Sequence, residues 1–301
     1  MLTIIESQVL WIKTQPIKSL TLFLERLYMK TKIEMPEEKK KRFLKIAREV
    51  PCTNGIRPER FIKVLKTNTG VVDSLTKYGL DKLGLERRNP LIVAFGDSVT
   101  GGHFESLYPI EELIRLIEKG EPIEEPMNVR DLGKVYHEQF RMMLAKKYVA
   151  TSVSVINSGI GGDSMIGMGK RVYRDVIQHD PDLVIINGTL NWTEQFGTLD
   201  DFQAALEYVI HAIKKNCKAD IVALTPNAIS NLLPDELLGA RVDIVCDVAQ
   251  REQVSLVDAY KLWSEFTTDS DELKKCLSNE INHPTAAGHK VFALALMQLF
   301  Q

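Results

Sequence analysis

The chain is poor in the features that announce several large classes of protein. It has only four cysteines, Cys52, Cys217, Cys246 and Cys276, in 301 residues. They lie far apart, so neither a CxxC metal motif nor a disulfide-dense scaffold can be built from them, and free thiols in a reducing compartment are expected. Charge is almost balanced, 38 Lys and Arg against 40 Asp and Glu for a net of −2, which leaves no footprint for nucleic acid. No apolar run reaches the length needed to span a bilayer. Glu6 and Lys13 interrupt the apolar residues of the amino terminus, and no small-residue cleavage site follows, so a secretory signal is not expected. The histidines lack metal-ligand spacing. The glycine-rich stretch Gly159-Ile160-Gly161-Gly162 has neither the GxGxxG spacing nor the lysine of a phosphate cradle. There is no internal repeat and no low-complexity segment. The expectation is a cytoplasmic protein with no metal, no cofactor, no nucleic-acid partner and no membrane association.

What is present is an ordinary globular composition, 45% hydrophobic and 26% charged, arranged in two styles. Residues 1–88 are densely charged, as in Glu37-Glu38-Lys39-Lys40-Lys41-Arg42, and have few strand-like runs. Leu20 to Tyr28 and Phe43 to Val50 carry apolar residues at helical spacing. Pro36, Glu37 and Glu38 suit the first turn of the second of these helices. Phe61, Val64 and Leu65 mark a third helix, and Val71 to Leu80 suggest a fourth. The region reads as a helical extension packed on the main domain, its basic tetrad a solvated helix face.

From residue 89 to 301 short apolar runs alternate with amphipathic segments, the signature of βαβ units. Leu91–Phe95, Val153–Ile156, Leu183–Ile186, Ile221–Thr225 and Ser255–Val257 are the strand candidates. Asp131–Lys147, Asp200–Lys215 and Asp235–Gln250 are helix candidates, Asp200 being placed to cap the second, and a terminal helix is expected to begin at Pro284. The fold class is therefore α/β: a five-stranded parallel sheet in a three-layer α/β/α arrangement. Lys119 to Val129 reads as a surface loop able to overhang a site.

The run Leu91-Ile92-Val93-Ala94-Phe95-Gly96-Asp97-Ser98 places a hydroxyl at the carboxyl end of a buried strand, where ligands sit in open α/β sheets. Asp97 and Ser98 are equally good helix caps, so this stretch alone leaves both roles open. Three more polar stretches follow later strands or precede the terminal helix: Asn157-Ser158-Gly159-Ile160-Gly161-Gly162-Asp163-Ser164, Asn187-Gly188-Thr189-Leu190-Asn191-Trp192, and Glu280-Ile281-Asn282-His283-Pro284. Taken together and in this order, the four resemble the blocks of the SGNH (GDSL) hydrolase family. The resemblance covers residues 90–300 and leaves the first 88 unexplained.

A serine hydroxyl attacks a carbonyl only when a base takes its proton, and the resulting oxyanion needs fixed donors. The resemblance implies Ser98 as nucleophile and His283 as general base. It also implies an oxyanion hole from the backbone N–H groups of Ser98 and Gly162 and the side-chain amide of Asn191. His289 is the alternative base, and Gly162 alone would equally serve a tight turn. His103 and Glu105 follow the nucleophile closely enough to line the site, His103 as a substrate contact. Two departures stand out. The third block usually reads Gly-x-Asn-Asp, whereas Gly188-Thr189-Leu190-Asn191 puts Leu190 at the amide's place unless the turn holds one extra residue; Asn191 is then the donor, with Asn187 also near. The fourth block is Asp-x-x-His, whereas here Glu280 stands three residues before His283. Glu280 as the acid, a Ser-His dyad, or another carboxylate such as Asp258 are all compatible with the residues. The resemblance implies a serine-dependent hydrolase of a small-molecule acyl ester, with acetylated carbohydrates among the substrates it suggests. An acyltransferase using the same residues and a binding domain without catalysis are the alternatives.

Overall fold

Leu183-Val184-Ile185-Ile186 shows why the sheet forms where it does. All four side chains are at most 3% exposed. Burial of each contributes about 1.5–3 kcal/mol, which only a strand covered on both faces can collect. The computed structural model describes residues 35–66, 89–106, 115, 119, 128–148, 152–232 and 235–301. The strands are β1 (Leu91–Gly96), β2 (His103–Ser106), β3 (Asn128–Arg130), β4 (Ser154–Gly159), β5 (Leu183–Asn187), β6 (Asp220–Leu224) and β7 (Ser255–Val257). Five of them form one parallel sheet in the order β4-β1-β5-β6-β7, while β2 and β3 pair as a separate antiparallel hairpin. All five anticipated strands are present, their ends shifted by three residues at most; the hairpin was not anticipated, and β3 occupies the end of the segment read as a loop.

The helices are α1 (Glu37–Glu49), α2 (59–66), α3 (Ser98–Gly101), α4 (Tyr136–Lys147), α5 (Met165–Asp175), α6 (Leu199–Asn216), α7 (Leu238–Arg251), α8 (Ala259–Phe266), α9 (Ser270–Lys274) and α10 (Ala286–Met297). Alternate strand residues feed two cores. Ile92, Leu183, Ile185, Val222 and Val257 pack with α1, α4, α8 and α10. Val93, Phe95, Val184, Ile186 and Ile221 pack with α5, α6 and α7. The three-layer α/β/α architecture follows.

Two cap assignments need correction. Thr198, not Asp200, caps α6: its hydroxyl accepts from Asp201 N–H while the Asp201 carboxylate accepts from Thr198 N–H, so both orphan donors are met at once. The cap of α10 is Thr285, and Pro284 lies just outside the helix.

Of the amino-terminal region, residues 1–34 and 67–88 lie outside the described residues, and with them the expected helices at Leu20–Tyr28 and Val71–Leu80. Residues 35–66 share the main core. Phe43 of α1 is fully buried, stacked on Phe266 at 4.3 Å and edge-on to Trp263 at 4.8 Å. Three residues of the basic tetrad are engaged, Lys39 with Glu272, Lys40 with Glu37, and Arg42 over the Phe266 ring. Beyond α1 the chain runs along β7. Asp258 N–H donates to Cys52 O at 2.7 Å, Leu256 N–H to Asn54 Oδ1 at 3.0 Å, and Asn54 Nδ2 to Val254 O at 3.0 Å.

Candidate active site

In chain order β1 is followed by β4 on one side of it and then by β5 on the other. The loops leaving β1 and β5 therefore diverge, and the carboxyl ends of these strands border a crevice, the usual ligand position in such sheets. Ser98 stands there, at the first residue of α3. Asp97 caps that helix, its carboxylate accepting from Val99 N–H at 3.0 Å. Gly96 makes the turn feasible, because a Cβ there would lie 2.2 Å from Asn187 O and 2.3 Å from Thr100 Oγ1. Thus both readings of the stretch hold at once: Asp97 is the cap, and Ser98 faces the crevice.

His283 comes from the opposite end of the chain, and its Nε2 lies 3.0 Å from Ser98 Oγ. The loop that presents it is tied down mainly by amide and hydroxyl side chains. Asn279 Oδ1 accepts from the N–H groups of Ile281, Asn282 and His283 at 3.1, 2.9 and 2.8 Å. Ser278 donates through both its N–H and its hydroxyl to His283 O. Asn227 Nδ2 donates to Asn282 O, and Ser230 Oγ to Glu280 O. Glu280 itself adopts a left-handed backbone, φ +60°, which a non-glycine residue holds only when its surroundings dictate it.

The other expected residues are placed as follows. Gly162, φ +71°, closes the turn after β4. Asn191 follows β5, and its Nδ2 donates to Asp163 O at 3.2 Å, so the amide and the Gly162 turn are neighbours. Asp163 is itself held at 2.6 Å by Arg171, whose buried guanidinium also reaches Ser158 O, Asp175 and Gly96 O at 2.7–2.8 Å and lies 4.5 Å over the Phe95 ring. Arg171 thus links the ends of β1 and β4 to the Gly162 turn. Asp258 is occupied elsewhere, accepting from Thr225 Oγ1 and Lys261 N–H as the cap of α8. Among the described residues, the Glu280 carboxylate has no hydrogen bond to His283. His289 is fully buried and accepts from Tyr136 N–H through Nδ1; Ser98 Oγ meets His283. His103 opens β2 opposite Arg130, and its side chain lies outside the described residues.

Behind the serine is a buried polar layer. Thr100 Oγ1 and the Tyr136 hydroxyl are 3.0 Å apart, and His137 Nε2–H donates to Thr100 O at 3.1 Å. Burial lowers the His137 pKa to about 4 and that of His289 to about 3, so both are neutral near pH 7. Burial, reinforced by the charge of Asp163, raises the Asp97 carboxyl to about 7 against the pull of the Val99 N–H.

At the end of β1 a serine hydroxyl thus meets an imidazole, beside a glycine turn that follows β4 and an amide side chain that follows β5. A family model, the GDSL-like lipase/acylhydrolase family, matches residues 94–291, more than half of the chain. The chain belongs to this family.

Solved structures of GDSL hydrolases share its fold. The lipase/acylhydrolase from Enterococcus faecalis is 22% identical with a TM-score of 0.52, the match covering 69% of this chain and 94% of that one. The acetylxylan esterase from Geobacillus stearothermophilus is 20% identical with a TM-score of 0.52, over 70% and 93% of the two chains. An α/β hydrolase from the metagenome of Lake Arreo, Spain, is 21% identical with a TM-score of 0.51, over 72% and 97%. No curated protein matches. At this identity the likeness carries the fold, and the family carries ester hydrolysis as the class of activity. Among the described residues of this GDSL-family chain, no three His, Cys, Asp or Glu side chains are gathered so as to hold a metal ion. Nor is any helix among them long and apolar enough to cross a membrane. Reading the sequence alone missed Arg171, Asn279, Asn227 and Ser230. Three of the four act largely on backbone atoms, which leave no pattern in a sequence; the signal for Asn279 was its place immediately before the Glu280 block.

Proposed function

We propose that this protein is a serine-dependent carboxylic ester hydrolase in which Ser98 is the nucleophile and His283 the general base. The observation that carries the reading is the 3.0 Å contact between Ser98 Oγ and His283 Nε2 across 185 residues of chain. His283 Nε2 takes the hydroxyl proton as Ser98 Oγ attacks the ester carbonyl. The negative charge that develops on the carbonyl oxygen is met by the N–H groups of Ser98 and Gly162 and by Asn191 Nδ2. The imidazolium then protonates the departing alcohol, leaving an acyl group on Ser98. A water molecule, deprotonated by the same imidazole, releases the acid. For His283 to accept the first proton at Nε2, its Nδ1 must carry one. Glu280 is not needed for that step; Asn279 and the loop around it fix the backbone that carries the ring. Carbohydrate deacetylation is one case within this class, supported by the likeness to the Geobacillus acetylxylan esterase.

The reading is tested with a fluorophosphonate probe, tryptic mass spectrometry and a short-chain chromogenic ester. Labelling at Ser98 together with turnover, both abolished in Ser98→Ala, is the expected result. Absence of both from the folded wild-type protein would reject it.

A further inference from the structure

Beside the Gly162 turn and Asn191 opens a cleft of about 1130 Å³. It lies between the segment after β5 and the segment joining β6 to α7, with Ile281 and Asn282 closing the end next to His283. Leu190, Trp192, Phe196, Ile229, Leu237 and Ile281 furnish its apolar wall. Phe196 and Leu237, on the two facing segments, are 40% and 47% exposed. Large apolar side chains left open to water on both sides of a cleft are the mark of a surface that receives an apolar ligand. The strongest cation in the lining, Arg241, is spent. It is 1% exposed, paired with Asp235, and donates from Nε to Thr189 O at 3.1 Å. Trp192 is likewise committed, its Nε1–H donating to Gly197 O at 3.2 Å, so what it offers the cleft is ring surface.

An acetyl group would fill a small corner of this volume, and although Thr193, Glu194, Thr198, Glu236 and Asn282 also line the cleft, the apolar wall is the larger part of it. We infer that the substrate is an ester bearing an extended apolar group, either its acyl chain or its alcohol, which lies in this cleft while the carbonyl faces Gly162 and Asn191. The inference rests on the hydrolase reading above and adds the substrate class to it.

The test uses the full chain and two ester series below their micellar concentrations. One holds the alcohol as p-nitrophenol and lengthens the acyl group from acetate to decanoate. The other holds the acyl group as acetate and lengthens an n-alkyl alcohol from ethyl to octyl. Acetylated xylose is the polar comparison. Each methylene taken into the cleft is expected to raise kcat/KM about two- to fourfold until the cleft is full. A rise in the first series assigns the cleft to the acyl chain, and a rise in the second to the alcohol. In both Phe196→Ala and Leu237→Ala, the ratio of longest to shortest substrate in the rising series should fall several-fold. Flat or falling kcat/KM in both series, preference for acetylated xylose over every chain, or a length dependence untouched by both substitutions would overturn the inference. The fluorophosphonate probe keeps the two claims separate. Ser98 labelling with flat series rejects the substrate class alone, whereas no labelling and no turnover of any ester rejects the hydrolase reading beneath it.

Discussion

Asn279 Oδ1 lies 2.8 Å from the backbone nitrogen of His283 and accepts two further N–H groups from the residues between them. One side chain thus fixes the stretch that carries the imidazole, while Glu280, at the place where the family has its aspartate, turns its backbone into the left-handed region.

Removing that acceptor should misplace the imidazole, and with it Ile281 and Asn282 at the end of the cleft. Asn279→Ala is expected to lower kcat about 10²-fold, since a small displacement of a reacting group is costly. Asn279→Asp, which keeps the acceptor oxygen, should recover most of the loss. Glu280→Gln should stay within a few-fold of wild type. Steady-state kinetics on a chromogenic ester reads all three, and a collapse of kcat in Glu280→Gln would return the orienting role to that carboxylate.

Arg171 should matter to stability and to chemistry together. Its guanidinium satisfies Asp163, Asp175 and the carbonyls of Ser158 and Gly96. Arg171→Met keeps much of the stem but takes the cation from the largely buried Asp163, while Asp175 keeps Arg174 and Gly96 O keeps Ile160 N–H, a loss of about 3–5 kcal/mol. Urea unfolding gives the stability, and turnover by the folded fraction should fall as well, because the Gly162 turn loses its anchor.

Two opposed pH effects are expected. His137 and His289 are neutral in the fold at pH values where an unfolded histidine, near 6.5, takes a proton. Their contribution to stability is complete above pH 6.5 and is lost as pH falls toward about 4 and about 3. Asp97 works the other way. Its folded pKa, about 7, lies above the unfolded 3.8, so the folded state holds the extra proton between them and stability falls as pH rises from about 4 to about 7. Thermal melts across this range should be flatter on the acid side in His137→Gln and flatter toward neutrality in Asp97→Asn. An unchanged profile in both variants would contradict these assignments.

Asn54→Ala removes both partners that this side chain gives to β7, the acceptor for Leu256 N–H and the donor to Val254 O. Partly buried groups left unpaired cost about 1–3 kcal/mol each at most, so a loss of about 1–3 kcal/mol in chemical denaturation is expected, with ester turnover unaffected at temperatures well below Tm.

β1, β5 and β6 were legible because each carries an unbroken apolar run that only a doubly covered strand can bury, whereas β4 and β7, at the two edges of the sheet, offer only two apolar residues each. Their order was legible only as a class, since pairing depends on contacts far apart in sequence. Of the site, Ser98 and His283 could be singled out because an unusual residue stood at a strand end and before a helix. What surrounds them could not. The α5 face of Met165, Met168 and Val172 is interrupted by Gly167 and Gly169, which hides its period. The capping box of α6 was misread by two residues because Thr198, Asp200 and Asp201 are all plausible caps. Asn279 acts mainly on backbone amides, and Arg171 gathers two carbonyls and two carboxylates from separate elements; those positions exist only once the chain is folded.

The segment from Cys52 to Asn54 has one more consequence. The backbone groups turned outward along β7 and at the residues flanking it, Val254 O, Leu256 N–H and Asp258 N–H, are all answered from within the same chain, partly by a side chain imitating a neighbouring strand. On that flank no strand of a second molecule can add to the ladder. A protein shortened past Asn54 would lose part of the Phe43 core and, in the same stroke, uncover an adhesive margin, so its first symptom should be self-association on storage.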